Sequence, residues 1–501
     1  MRPELLNPPR GPVVLNPARL LLIGWHFPPG QGAGALRWQK LASLAAERGW
    51  GLDVITAHPG SLAAADPSRL HDLPPGTRVY GVRKPRGVAE AIRKAALRPD
   101  GRGAQKAVGA SVDGIAPAAS APVIASAGSA GSAGSAGAAG PLAPEADLAW
   151  RKDLRWSPGP RALVRAYRAW RAFADEDAWA RAAERAANEI VDPAIHRAVV
   201  SCGPPHMVHG AGRRVARAAG LPLVMDMRDP WSLAPATLRG TGSPLWYTLA
   251  GRHERAAVEA AALVVANTGA AAEALRAAYP HLAERIIAVM NGCDDEPLPP
   301  RREDGRFTVA YAGTIYIDRD PRALFRAAAR LVREEGLTPE RFGLVFVGHV
   351  QAFGGAPLQA LAEAEGIGGF VQIHPRKPRN EALEMLAGAS VLLSLPQGVD
   401  VSIPSKVFEY MQFPAWLLAL ATRGCATERL LRGTAADVVE PGDEDGLARV
   451  LIQRYRQWVR GERPRPVNAD GRFGRRRQAE TLFEAIEART GAPAARHGRA
   501  A

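Results

Sequence analysis

The sequence is short of cysteine, of long apolar runs and of nucleic-acid signatures, and each shortage closes off a class of protein. Its 501 residues hold three cysteines, Cys202, Cys293 and Cys425. They lie far apart and form no CxxC pair, which argues against a zinc site or a disulfide framework and fits a reducing compartment. The opening stretch, MRPELLNPPRGPVVLNPARLLLIGW, lacks the basic start and long apolar core of a signal peptide. The longest apolar stretches, such as Ala415–Ala421, are far too short to span a bilayer. A cytoplasmic protein is expected, resting peripherally on the inner face of the cytoplasmic membrane. No DNA- or RNA-binding motif accompanies the charge, so nucleic acid is not expected as a partner.

What is present describes a globular, basic chain. Apolar residues make up 47%, enough for packed cores, and the length calls for two large domains or three small ones. The formal net charge is +14, which favours anionic partners such as phosphorylated substrates or acidic lipid. Arginines at Arg83–Arg98 and Arg151–Arg171, interleaved with Trp156 and Trp170, fit either a contact with anionic membrane or a solvated face on Ala/Arg-rich helices.

Strand and helix patterns alternate along the chain. Arg19–Gly24 (RLLLIG) reads as a buried parallel strand that opens into the loop Phe27–Gly34 (FPPGQGAG). A helix over Ala35–Arg48 and a strand over Leu52–Thr56 complete a βαβ unit. The tract SAGSAGSAGSAG then breaks the rhythm, and a low-complexity insertion is expected over about 85–150. Alternation resumes with a helix over Arg161–Ile190 and runs to the Asn291-Gly292 turn. A second α/β series starts at Phe307. The fold class expected is α/β, two Rossmann-like doubly wound domains facing a cleft, at 17–297 and 306–460. A helical segment at 461–490 returns to the first domain, and the tail 491–501 frays.

Candidate site residues cluster where strands end. Phe27–Gly34 carries GxGxG, not GxGxxG; its amides and the following helix start suit a phosphate or a sugar oxygen, and a plain tight turn fits equally. His206 follows Ser201-Cys202-Gly203-Pro204-Pro205 at another strand-to-helix loop, where an imidazole can bind a hydroxyl; His209, one turn on, competes for that role. In DMRDPW (Asp226–Trp231), Arg228 reads as one half of a structural Arg–Asp pair, and Asp229 as a group that could orient an acceptor hydroxyl. Tyr311-Ala312-Gly313-Thr314 ends a strand in a glycine turn, and Arg319 is placed to meet a diphosphate. In Ser402–Tyr410, Ser405 is expected to cap a helix starting at Lys406, whose amides and ammonium suit a diphosphate. Glu409 can accept two ribose hydroxyls, or reach back to the cap amide.

FPPGQGAGALRW, GPPH, DMRDPW, NTGAAAEAL, MNGCD, YAGTIY with its following arginine, and IPSKVFEYM, in this order, resemble glycosyltransferase family 4. The resemblance covers most of the chain outside the insertion and the termini. It implies the twin-Rossmann GT-B fold and transfer of a sugar from a nucleotide-diphosphate donor with retention, without a metal or another cofactor. It implies a nucleotide-sugar side in the second domain and an acceptor side in the first, with a glycan or lipid-linked acceptor. Carried over by motif, Lys406 and Arg319 would meet the diphosphate beside Gly313 and Ser405, and Glu409 would meet the ribose. The Gly32–Gly34 loop would approach donor and acceptor, and His206 would sit beside the transferred sugar. Two positions depart from the family pattern. Val401 stands where a first glutamate is usual, which leaves its sugar contact to Asp400 or Gln397, and Thr314 stands where an arginine is common. A nucleotide-sugar epimerase of the same fold and a non-catalytic nucleotide-binding scaffold are the alternatives.

Overall fold

A computed structural model describes residues 3–7, 18–31, 33–85, 160–229, 231–233, 244–294, 296–301, 304–315, 319–395, 401–491 and 493. The SAG-rich tract, Gly32, Gln397, Asp400 and residues 494–501 lie outside them.

The first sheet is built from β1 (Glu4–Leu5), β2 (Arg19–Gly24), β3 (Gly51–Ala57), β4 (Thr77–Val82), β5 (His196–Gly203), β6 (Leu223–Met227), β7 (Leu263–Ala266) and β8 (Ile286–Ala288). Its spatial order is β1-β4-β3-β2-β5-β6-β7-β8, parallel except for the edge pair β1–β4. The buried strands read as nearly unbroken apolar runs because both faces are covered. Alternate residues therefore enter different cores: Leu21, Ile23 and Val199 pack on one face, and Leu20, Leu22 and Val200 on the other. Helices α2 (Pro160–Ile190), α3 (Val208–Ala219), α4 (Pro244–Ala260) and α5 (Gly269–Ala278) cover the first face. Helix α1 (Ala33–Glu47) covers the second through Trp38, Leu41 and Ala45.

The second sheet takes β9 (Phe307–Thr314), β10 (Phe342–His349), β13 (Val371–His374), β14 (Val391–Ser394), β15 (Trp416–Leu420) and β16 (Asp437–Val439), in the order β13-β10-β9-β14-β15-β16. A small hairpin, β11 (Ala352–Phe353) and β12 (Ala356–Pro357), stands apart from it. Helices α6 (Arg322–Glu335), α7 (Leu358–Ala364) and α11 (Glu444–Val459) pack on one face. On the other lie α8 (Arg379–Ala387) and α9 (Ser405–Tyr410), with α10 (Ala426–Leu431) at its margin. The last helix, α12 (Arg475–Thr490), sets Ala479, Leu482, Phe483 and Ile486 into the core beneath α1. The chain thus crosses between the sheets twice, side by side: Cys293 N–H donates to Phe473 O at 2.7 Å, and Arg475 N–H donates to Cys293 O at 2.7 Å.

In each sheet the strand order reverses once, between β2 and β5 and between β9 and β14. Loops leaving the carboxyl ends of the strands diverge at such a point and open a crevice for ligand. The first crevice is walled by the loop after β2 and the GPPH turn after β5. The second is walled by the turn after β9 and the chain that leads from β14 into α9.

Gly348, opposite Gly313 in the β9–β10 ladder, has φ +126°, and a Cβ there would lie 2.1 Å from Gly313 O. Gly348→Ala is therefore expected to cost at least about 2 kcal/mol, from positive-φ strain and a clash with backbone that cannot swing aside. A lower urea midpoint for unfolding checks this.

Candidate functional site

At the first crevice the strand ends are pinned by one arginine. Arg37 of α1 forks onto Asp226 at 3.0 and 3.1 Å, and Trp38 Nε1 donates to the same carboxylate at 2.7 Å. Arg37 also donates to Val289 O, at 3.0 Å, and to Asn267 Oδ1, at 3.3 Å, which gathers the ends of β6, β7 and β8 onto α1. Burial alone would raise the Asp226 carboxyl, but the guanidinium and indole donors hold it below the usual range. The sequence reading gives Arg228 an aspartate partner without saying which; Asp226 is taken by Arg37. The Arg228 guanidinium donates to Gly203 O at 3.2 Å and Pro204 O at 2.8 Å, and lies where a Cβ on Gly34 would be, 1.9 Å from Nη1. Gly34 thus admits Arg228 against the start of α1.

His206 and His209 are both buried. His206 stacks on Trp231 with ring centroids 5.0 Å apart, and His209 Nδ1 meets Ser201 Oγ at 2.9 Å. Burial lowers both imidazoles, aided by the Arg228 charge: His209 to about 3, and His206 well below its ordinary value. His26, in the loop after β2, is lowered to about 4 by burial and Arg228. His206 is therefore a neutral hydrogen-bonding group at physiological pH and a poor base. Asp229 reaches solvent at the crevice mouth, yet the surrounding protein displaces enough water to raise its carboxyl, against the pull of Arg228 and Arg37.

Two residues outside the sequence motifs hold this loop pair in place. Glu176 of α2 accepts the backbone N–H groups of His206 and Met207, and burial keeps its carboxyl raised. Glu254 of α4, fully buried, accepts Ser232 N–H at 2.7 Å, Ser232 Oγ–H at 2.8 Å and Tyr279 O–H at 3.0 Å, which fixes the residue next to Trp231.

Neutral buried histidines have a consequence for acid stability. Their folded pKa values lie below the unfolded value of 6.5, so their contribution is complete above pH 6.5 and is lost as pH falls through that value. Each withdraws about 1.4 kcal/mol per pH unit while only the unfolded chain is protonated. His209→Asn, which keeps a partner for Ser201, is expected to flatten the fall in the urea midpoint between pH 6 and pH 4.

At the second crevice, α9 begins at Ser405, one residue earlier than the sequence suggests, and ends at Tyr410. Its N-cap is Pro404, without a side-chain cap bond, so Ser405 is the first helical residue and not the cap. Pro404 explains the shift: its fixed φ of −57° leads straight into the first turn. Glu409 does not reach back to the cap either. Arg379 Nη1, at the head of α8, donates to its Oε1 at 2.7 Å, and Lys406 Nζ donates to Oε2. The Glu409 side chain is 10% exposed and that of Lys406 40%, so the lysine is free to swing and the glutamate is not. Tyr410 Oη accepts Ala312 N–H at 2.8 Å and donates to Ala312 O at 3.2 Å, which ties α9 to the end of β9. The turn itself is held by Tyr311 Oη, which donates to Thr314 O at 2.8 Å. Arg319, half-buried, donates from Nη1 to both Tyr311 Oη and Thr314 O. Its guanidinium lies against the glycine turn at Gly313.

The two domains touch along a seam. Val401 is buried in the core of the first domain, beside Met227, Trp231 and Leu275, and Thr268 Oγ1–H donates to its carbonyl. Where the family pattern has a glutamate, this chain places an apolar contact that joins the domains. Lys40 of α1, Glu296, Arg379 and Glu409 continue the seam as alternating charges. Among the described residues no group of three or more His, Cys, Asp or Glu could hold a metal ion, and no helix is long and apolar enough to cross a membrane.

Two doubly wound sheets with facing crevices define the GT-B fold, and solved structures bear this out. The chain is similar to HepE of Anabaena in complex with UDP (TM-score 0.53, 13% identity, covering 94% of this chain and 100% of that one). It is similar to sucrose-phosphate synthase of Thermosynechococcus elongatus (TM-score 0.52, 13% identity, 94% and 97%). The apo lipopolysaccharide outer core galactosyltransferase WaaB gives a TM-score of 0.51 at 12% identity, with 94% and 99% covered. At such identities the likeness is one of fold. In sequence, the chain is 28% identical over 276 residues to D-inositol 3-phosphate glycosyltransferase 1 of Catenulispora acidiphila, spanning 51% of this chain and 62% of that relative. No family model matches.

Proposed function

We propose that the chain is a nucleotide-sugar-dependent glycosyltransferase of family 4 type, which transfers a sugar with retention to a hydroxyl acceptor. The observation that carries this is positional. Gly313, Arg319, Lys406 and Glu409 stand beside the switch point of one sheet, while Gly34 and His206 stand at that of the other, with Asp229 at the end of the neighbouring β6. The sequence relative is a glycosyltransferase, and one fold neighbour holds UDP.

In this reading the donor lies in the second crevice. Lys406 turns from Glu409 to the diphosphate and stabilises the leaving charge, with Arg319 and the first amides of α9 beside it. Glu409, held by Arg379, keeps lone pairs for ribose hydroxyls. The acceptor enters from the first domain, where Asp229 orients its hydroxyl and neutral His206 bonds a hydroxyl of the transferred sugar. In this reading the departing phosphate takes the acceptor proton. No metal is assigned a role. A glycan or lipid-linked acceptor in surface polysaccharide or glycolipid synthesis fits the basic chain, as does a site of action in the cytoplasm.

Purified protein supplied with UDP-, GDP- and ADP-sugars and a panel of acceptors tests the proposal. Acceptor-dependent release of one nucleoside diphosphate is expected. Sugar interconversion without acceptor would mean an epimerase, and nucleotide binding without turnover a scaffold.

A further inference from the structure

Seven large apolar side chains are exposed among the described residues, and four of them sit near the start of α2: Leu163 (67%), Val164 (48%), Tyr167 (58%) and Trp170 (57%). The far half of this helix is core, with Trp179, Ala180, Ala183 and Ala187 buried under the first sheet. Among the described side chains near its start, only Ala169 and Phe173 are buried, on the opposite flank. Leu163, Tyr167 and Trp170 follow the i, i+4, i+7 spacing of a single stripe. The two rings lie side by side, centroids 6.2 Å apart and tilted by 31°. Arg171 and Arg168, both exposed, stand about 80° and 140° round the helix from Leu163. From Pro160 to Ala174 the sequence holds four arginines and no acidic residue; the first acid is Asp175, a loose 4.0 Å partner of Arg171.

We propose that this face docks on an anionic lipid surface. A solvated helix face has no use for Leu163, Val164, Tyr167 and Trp170, whose exposure to water is unfavourable. Tyrosine and tryptophan rings with one wet edge suit the headgroup boundary, and arginines beside them reach lipid phosphates while their stems stay in the apolar layer. The surrounding sequence has the same sign: Arg151, Lys152 and Arg155 precede the helix, and the whole chain carries +14. This surface is independent of the sugar-transfer reading, since its binding calls for no nucleotide.

Co-sedimentation of the full chain with phosphatidylcholine vesicles, with and without an equal part of phosphatidylglycerol, tests it. Salt-sensitive binding to the anionic vesicles alone is expected. Tyr167→Ser/Trp170→Ser and Arg168→Glu/Arg171→Glu should each reduce the bound fraction at least about ten-fold, with unchanged melting temperature. Four results would overturn the proposal: equal binding by the aromatic variant, equal binding to neutral vesicles, a lower melting temperature of the aromatic variant without lipid (the face is then already covered by protein), or binding to heparin but to no vesicle (the arginines then serve another polyanion).

Discussion

Asp226→Ala is expected to destabilise the first domain by about 3–5 kcal/mol, the range for removing one partner of a buried ion pair. Asp226 is fully buried and Arg37 nearly so, and the variant leaves the guanidinium without its counter-charge and Trp38 Nε1–H without an acceptor. The carbonyl of Val289 and the side chain of Asn267 remain as partners and keep the loss within that range. Asp226→Asn keeps an acceptor for the indole and should cost less than the alanine. Because Arg37 gathers the ends of β6, β7 and β8, the alanine variant should also loosen the crevice loops. Urea unfolding followed by tryptophan fluorescence gives the stability, and hydrogen exchange at Trp25–Phe27 and Ser201–His206 gives the loosening. Equal stability of the alanine variant and the parent would remove Arg37–Asp226 as the clasp of this domain.

Lys406→Ala is expected to act in the opposite manner, on chemistry and not on stability. Its ion pair with Glu409 is an i,i+3 contact of a 40% exposed lysine, and such pairs contribute about 1 kcal/mol or less. The melting temperature should therefore hardly move. If Lys406 stabilises a departing diphosphate, its loss should lower kcat/KM by about 10²–10³, the size of effect seen when one donor to a developing anion is removed. Lys406→Arg should restore part of the rate, because it returns the charge without the same reach. A variant with normal turnover would exclude Lys406 from the donor site.

These two residues show what was legible in the sequence. Lys406 stands in a short segment after a strand, and its place at a strand's carboxyl end follows from the apolar run that precedes it. Helices Gly269–Ala278 and Arg322–Glu335 are bounded in part by signals within their own segments. Thr268 and Gly336 are the caps that mark two of those ends. The Arg37–Asp226 pair was invisible because its partners lie 189 residues apart, and nothing local to DMRDPW separates Arg228 from Arg37 as the mate of Asp226. Glu176 and Arg379 were missed for the same reason: one caps a loop 30 residues away, the other an acid 30 residues on. The start of α9 was misplaced by one residue because serine is a frequent cap, whereas Pro404 already supplies the turn. Val401 was read only as a missing glutamate; its burial against Trp231 depends on the packing of two domains, which no local pattern encodes.

Calorimetric titration of the purified chain with UDP, GDP and ADP, repeated on Lys406→Ala, bears most directly on the central claim. One of the three should bind the parent at micromolar concentration and bind the variant at least about ten-fold more weakly, the loss of one charge-assisted contact. Heat from none of them, or an isotherm that the variant leaves unchanged, would contradict a nucleoside diphosphate at the head of α9.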